Sequence, residues 1–296
     1  MYSGECDVKK SEVLEKHLLN NYKFLRRFVI GRTYLNRRIV SFTIGRGGLL
    51  LTGAFHGAER ITAMMLYKFL DDVCVKMENE IDFYNDVAKT GLTVVPMVNP
   101  DGVEISCNGV KTAGNNSEFV SECLIKSALP HKKWQANARG VDINHNFDAG
   151  YNEVKEKERE LGINAPMPTR FGGEYAESER ETNALCELCR DNNFKAAVAL
   201  HSQGREIYYD YGNNTPNVSR DLAVKMAEIS GYTMSRPQGI AVGGGFKDWF
   251  IEKFKRPAFT IEVGEGENPL SPETFDREYP RVSKMLNYLL DYLVDN

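Results

Sequence analysis

The sequence predicts an α/β fold, a sheet covered by helices, on two observations. Short apolar runs suited to strands recur along the chain, and longer stretches with apolar residues every three or four positions lie between several of them. Residues 1–38 read as a lead-in segment, of which residues 1–25 alternate charge with short apolar pieces. Strand-like runs follow at 39–44 and 49–55, the second a nearly unbroken apolar stretch of the kind buried on both faces. Over 59–75, Ile61, Met65, Phe69 and Val73 recur at four-residue spacing, which predicts a helix. A third strand is expected at 92–98.

Residues 108–169 break this rhythm with polar residues, turns and a charged run at 153–160, so loops around a cleft are expected there. A helix at 178–191 opens on Ser178-Glu179-Arg180-Glu181, which has the form of a capping box. Strands at 196–200 and 206–211, a helix at 218–230, a helix at 246–254 and a strand at 258–263 continue the alternation. Met285, Leu289 and Leu293 stand four apart and predict a closing helix over 274–294.

With 296 residues, the chain is long enough for one large core, and a single domain over 1–296 is expected. A formal net charge of -4 gives no electrostatic footprint for nucleic acid, and no stretch approaches a membrane-spanning length. The first 25 residues lack a signal peptide's continuous apolar region, so a cytoplasmic location is the expectation. Six cysteines do not make a dense disulfide framework in a chain of this length and read as free thiols. Cys186-Glu187-Leu188-Cys189 has no second pair to complete a metal site and is assigned no function.

The chemistry points to a metal. His56 and Glu59 stand three apart on a turn between the 49–55 strand and the next helix, and His201 directly follows the 196–200 strand. Ligand crevices in open α/β sheets form at the carboxyl ends of strands, where these three residues are placed to converge. Two imidazoles and a carboxylate leave a fourth zinc position open for water, as in a catalytic site. Such a site needs a general base, and Glu262 fits. In Phe259-Thr260-Ile261-Glu262-Val263 the alternation points Thr260 and Glu262 away from the apolar face, and an acidic residue in so apolar a strand is costly unless it serves a site.

Five motifs occur in order: His56-Gly-Ala-Glu59, Asn99-Pro-Asp-Gly102, Gly140-Val-Asp-Ile-Asn-His-Asn-Phe147, Leu200-His-Ser202 and Phe259-Thr-Ile-Glu262. Together they resemble the zinc metallocarboxypeptidases, the carboxypeptidase A-like family. That resemblance implies one zinc ion held by His56, Glu59 and His201, with Glu262 as general base and Asn144 holding a substrate carboxylate. It also implies a mixed eight-stranded sheet sandwiched between helices.

Departures from the family pattern bear on the substrate. His145 stands where the family has an Arg that pairs with the substrate's terminal carboxylate, a weaker and pH-dependent donor. Gln135 stands where an Arg polarises the scissile carbonyl, and Arg139 is near enough in sequence to take that part. Ile240 stands at the position of a mobile Tyr. Lys247 stands at the floor of the specificity pocket, where a cation favours a negatively charged side chain.

Trp134-Gln-Ala-Asn-Ala-Arg-Gly-Val-Asp142, Pro168-Thr-Arg-Phe-Gly-Gly173 and His201-Ser-Gln-Gly-Arg-Glu-Ile-Tyr-Tyr209 are similar to bacterial γ-D-glutamyl-meso-diaminopimelate peptidases. The expectation is therefore a zinc peptidase of murein peptides that cuts the bond between D-Glu and meso-diaminopimelate. A zinc deacylase of small N-acyl amino acids and a catalytically weak wall-peptide-binding module are the alternatives.

Overall fold

The computed structural model describes all residues 1–296. In chain order its elements are α1 (Val8–Asn21), β1 (Arg26–Arg32), β2 (Arg38–Ile44), β3 (Gly48–Gly53), α2 (Ile61–Asn79), α3 (Ile81–Thr90), β4 (Leu92–Val95), α4 (Pro100–Asn108) and α5 (Ser117–Ser127). They continue with α6 (Tyr151–Glu160), α7 (Arg180–Asp191), β5 (Phe194–His201), β6 (Glu206–Tyr208), α8 (Val218–Ser230), β7 (Thr233–Met234), α9 (Phe246–Phe254), β8 (Ala258–Glu262) and α10 (Thr274–Asp295). All eight strands form one sheet in the order β1-β2-β4-β3-β5-β8-β6-β7, the mixed sheet that the resemblance implied.

The most apolar runs take the middle. Strands β4, β3, β5 and β8 are parallel to their neighbours in this set and almost wholly buried, which is why their sequences lack polar alternation. Their alternate residues feed two cores. Leu49, Leu51, Val94, Val198 and Ile261 join a cluster of 46 buried residues with α1, α2, α8 and α10, while Leu50, Val95, Ala197 and Ala199 join a cluster of 20 with α7 and α9. Strands β2 and β6 close this block antiparallel, at β4 and β8 respectively.

Three readings are corrected. The lead-in carries helix α1 and edge strand β1; β1 escaped notice because its residues are all exposed or half-exposed, as an edge strand with charged ends is built. Residues 108–169 are not mainly loops: they hold α5 and α6 between short 3-10 turns, and the charged run at 153–160 lies in α6. There Glu158 is buried, accepts from Gly172 N–H at 2.8 Å and pairs with Lys155. The capping box does not form. Helix α7 starts one residue after Glu179 with no side-chain cap, and Ser178 Oγ instead donates to Glu179 at 2.9 Å. The six cysteines are free, and no helix is long and apolar enough to cross a membrane.

Candidate active site

Strand β4 lies on one side of β3 and β5 on the other, so the chain switches direction across the sheet between β3 and β5. A crevice opens at the carboxyl ends of the strands beside such a switch. His56 lies three residues beyond β3, His201 is the last residue of β5, and Glu262 is the last residue of β8. In the parallel pairing of β5 and β8, His201 stands opposite Glu262, so one register sets both side chains on the same face.

The turn after β3 is locked from both sides. Thr62 Oγ1 accepts from Ala54 N–H (2.8 Å) and donates to the Glu59 carbonyl (2.7 Å). Asn99 Nδ2 donates to the Phe55 carbonyl at 2.9 Å, which gives the Asn99-Pro-Asp-Gly102 motif its part. Gly57 is required by close approach: a Cβ there would lie 2.2 Å from the Gly102 carbonyl oxygen and 2.7 Å from that of Trp134.

The result is a convergent donor set. One Glu59 oxygen lies 2.8 Å from His56 Nδ1 and the other 3.0 Å from His201 Nδ1, and the ligand atoms of the three residues all fall within 4.8 Å of one another. Phe55 stacks on the His201 ring at 5.1 Å and holds its plane. On the far side His56 Nε2 meets Asp142 Oδ1 at 3.0 Å, the carboxylate–imidazole arrangement that orients metal-binding histidines. Asp142 is fixed in turn by the N–H groups of Asn144 (3.2 Å) and Arg170 (2.9 Å).

The electrostatics call for a cation. Burial works to lower the pKa of His56, but Glu59 and Asp142 outweigh it and hold the ring well above its ordinary value. Burial would raise Glu59, yet His56 and His201 pull it down to about 2; Asp142 is held well below the carboxylate range against burial by His56 first, then by His145 and the Arg170 N–H. A proton here occupies a place that suits a divalent ion, so the donor set fits zinc in both charge and ligand type. Glu262 behaves oppositely: burial first, then the neighbouring Glu59 charge, push its carboxyl well above the usual range.

These groups open onto a cavity of about 140 Å³, lined among others by His56, His201, Glu262, Asn144, His145 and Lys247. Asn144 accepts from Phe246 N–H through Oδ1 at 3.0 Å, leaving its NH2 as the open end. Burial lowers the pKa of His145 despite Asp142, so it presents a neutral ring, and its Nδ1 has no partner. Lys247 is 5% exposed and is not a free cation as expected: Nζ pairs with Asp248 and donates to the Asp210 carbonyl at 2.6 Å.

Two expected residues are absent from the lining. Arg139 is 43% exposed and its guanidinium lies 3.4 Å from Glu179, so it is not brought to the cleft. The Gln135 side chain accepts from Thr169, while its carbonyl supports Gly57 N–H at 3.1 Å. Ile240 packs with the Val141, Ile163 and Phe171 cluster. Two residues were missed. Asp142 had a signal, an acidic residue between apolar Val141 and Ile143; Tyr208, which lines the cavity, had only its place after the His201 motif.

The sequence matches the zinc carboxypeptidase family model over residues 12–281. It is 34% identical over 277 residues to gamma-D-glutamyl-L-diamino acid endopeptidase 1 of Lysinibacillus sphaericus, covering 89% of this chain and 67% of that protein. It is 23% identical over 303 residues to carboxypeptidase B of Bos taurus, covering 92% and 67% respectively. The fold is similar to that of bovine thrombin-activatable fibrinolysis inhibitor in complex with tick carboxypeptidase inhibitor, with a TM-score of 0.75, 18% identity and coverage of 100% of this chain and 99% of that one. On the family match and the convergent His56, Glu59 and His201, the chain belongs to the zinc carboxypeptidase family and is a zinc metallopeptidase.

Proposed function

We propose that this peptidase hydrolyses the bond between γ-D-Glu and meso-diaminopimelate in murein peptides, with His56, Glu59 and His201 holding the zinc. Bound there, zinc supplies an acidified water and polarises the scissile carbonyl. Glu262, set beside His201 by the β5–β8 register, takes the proton of the attacking water and returns it to the leaving amine. Asp142 keeps His56 in one tautomer and orientation. In this reading the Asn144 amide binds a substrate carboxylate and Lys247 meets the far end of the leaving residue; that both line one cavity supports it.

The observation that carries this reading is the pairing of a neutral His145 with a buried Lys247 in one cavity. The usual anchor for a terminal carboxylate is weak, and the Lys247 ammonium, with its charge balanced by Asp248, lines the same cavity. Diaminopimelate carries a second amino-acid head at its far end. The likeness to an enzyme named for γ-D-glutamyl-L-diamino acid bonds supports the same substrate class.

The test is product analysis by mass spectrometry after incubation of zinc-loaded protein with L-Ala-γ-D-Glu-meso-diaminopimelate, N-acetyl-aspartate or an ordinary C-terminal peptide. Release of free diaminopimelate from the first substrate, with little turnover of the others, is expected. Preferential release of acetate would instead establish a deacylase, and saturable tripeptide binding without turnover would establish a binding module.

A further inference from the structure

On the cleft face of the sheet, two cross-strand pairs stand side by side. Glu206 of β6 is opposite Glu262 of β8, and Tyr208 is opposite Thr260, while Ile207 and Ile261 between them turn into the core on the other face. Tyr208, Thr260 and Glu262 line the same cavity as Lys247. The Tyr208 hydroxyl donates to Glu206 Oε2. Burial first, then that hydrogen bond and the nearby carboxylates, push the phenol above its ordinary range, so it keeps its proton at neutral pH. With that proton committed to Glu206, the phenolic oxygen has only lone pairs left to offer the cavity. Nothing in the general base's chemistry requires this second carboxylate beside Glu262.

Lys247 presents the opposite polarity. Its ammonium has three donors, of which two are taken by Asp248 and the Asp210 carbonyl. Asp248 is itself used up, since its other oxygen accepts from Gly243 N–H at 2.9 Å. One N–H of Lys247 therefore remains for a ligand acceptor. The cavity has a donor at the Lys247 ammonium, whose charge Asp248 balances, and an acceptor backed by negative charge at Tyr208 and Glu206.

We infer that this pocket selects a leaving residue whose side chain ends in a zwitterionic amino-acid head, with Lys247 binding its carboxylate and the Tyr208–Glu206 pair its ammonium. The inference rests on the proposed function and names the pair that makes the substrate choice. A hydrogen bond to a charged group in such a site is worth roughly tenfold or more in affinity.

The experiment measures binding of three free amino acids to zinc-loaded protein by calorimetry. They are meso-diaminopimelate with both far-end charges, L-2-aminopimelate with only the carboxylate, and L-lysine with only the ammonium. Diaminopimelate is expected to bind about tenfold or more tightly than either. In Glu206→Gln and Tyr208→Phe its advantage over 2-aminopimelate should collapse toward one. A purely structural role would weaken all three ligands alike, and that result overturns the inference. So does the absence of a diaminopimelate preference, including failure of all three to bind. Tripeptide hydrolysis is scored separately: turnover without the preference sinks this inference alone, whereas the preference without turnover sinks the peptidase reading and leaves the pocket standing.

Discussion

The two halves of the cleft are built by different means. The metal half hangs on strand ends: β3, β5 and β8 deliver His56, His201 and Glu262, and the pairing of β5 with β8 sets the relation of the last two. The wall opposite is made of loops, the 3-10 turn that carries Asn144 and His145, and the start of α9 with Lys247. Asn137 reaches from the loop before Asp142 to Glu179 and Glu181 at 2.7 and 3.3 Å, Asn146 ties that wall to Gly172 and Tyr175 at 2.7 and 3.0 Å, and Gly244 accepts from Phe147 N–H at 2.9 Å. Register-built chemistry is hard to change without refolding the sheet. The wall can carry a histidine in place of an arginine while the zinc half stays as it is, whereas Glu206 and Tyr208 share the register of Glu262, so only the wall's part of specificity is physically separable from reactivity.

Changes in the two halves should therefore fail differently. The largest effect is expected in the metal half: Glu262→Gln should lower kcat by roughly 10²–10⁴-fold with zinc affinity little changed, as stopped assays and chelator competition would measure. If kcat survives, the register argument for the base is wrong. On the wall, Lys247→Met leaves buried Asp248 without its counter-charge and should cost about 3–5 kcal/mol in urea unfolding. Adding Asp248→Asn should recover part of that loss; a single variant as stable as the parent would show that the pair is not a structural unit.

Asp142 belongs to both halves, since it is carried by the wall and holds a histidine of the metal site. Asp142→Asn should weaken zinc binding about 10–100-fold in a chelator competition. An unchanged affinity would mean that His56 needs no outer partner. A slope spread over several pH units concerns pH and stability behind the wall. Glu181 is buried, one of its oxygens has no partner, and burial raises its pKa from 4.5 to about 8. Below about pH 4.5 it is protonated in both folded and unfolded chains. Between there and about pH 8 only the unfolded chain releases the proton, so stability falls by at most about 1.4 kcal/mol per pH unit and then levels off. Glu181→Gln should flatten that tilt in denaturation curves taken across the window, whereas an unaltered slope would assign the tilt to another group.

The same division explains what could be read in the sequence. His56, Glu59, His201 and Glu262 were legible because each sits at or just past the end of an apolar run, and strand ends in such sheets converge. The wall residues depend on partners that spacing cannot show. Arg139 is claimed by Glu179 forty positions away, and Lys247 by the Asp210 carbonyl thirty-seven away. Tyr208 acquires its chemistry from Glu206, visible only once both are seen to share the face of Glu262. For the fold, the buried middle strands stood out, while β1 was concealed by exposure and α6 by a polarity that hid the buried Glu158.

The most direct measurement is a zinc titration of metal-free protein, with diaminopimelate release from L-Ala-γ-D-Glu-meso-diaminopimelate and bound metal followed together. Activity is expected to rise linearly and level off at one zinc per chain, with Glu262→Gln binding the same single ion while remaining inactive. Full activity of the metal-free protein, or a Glu262→Gln variant that works as well as the parent, would contradict the account.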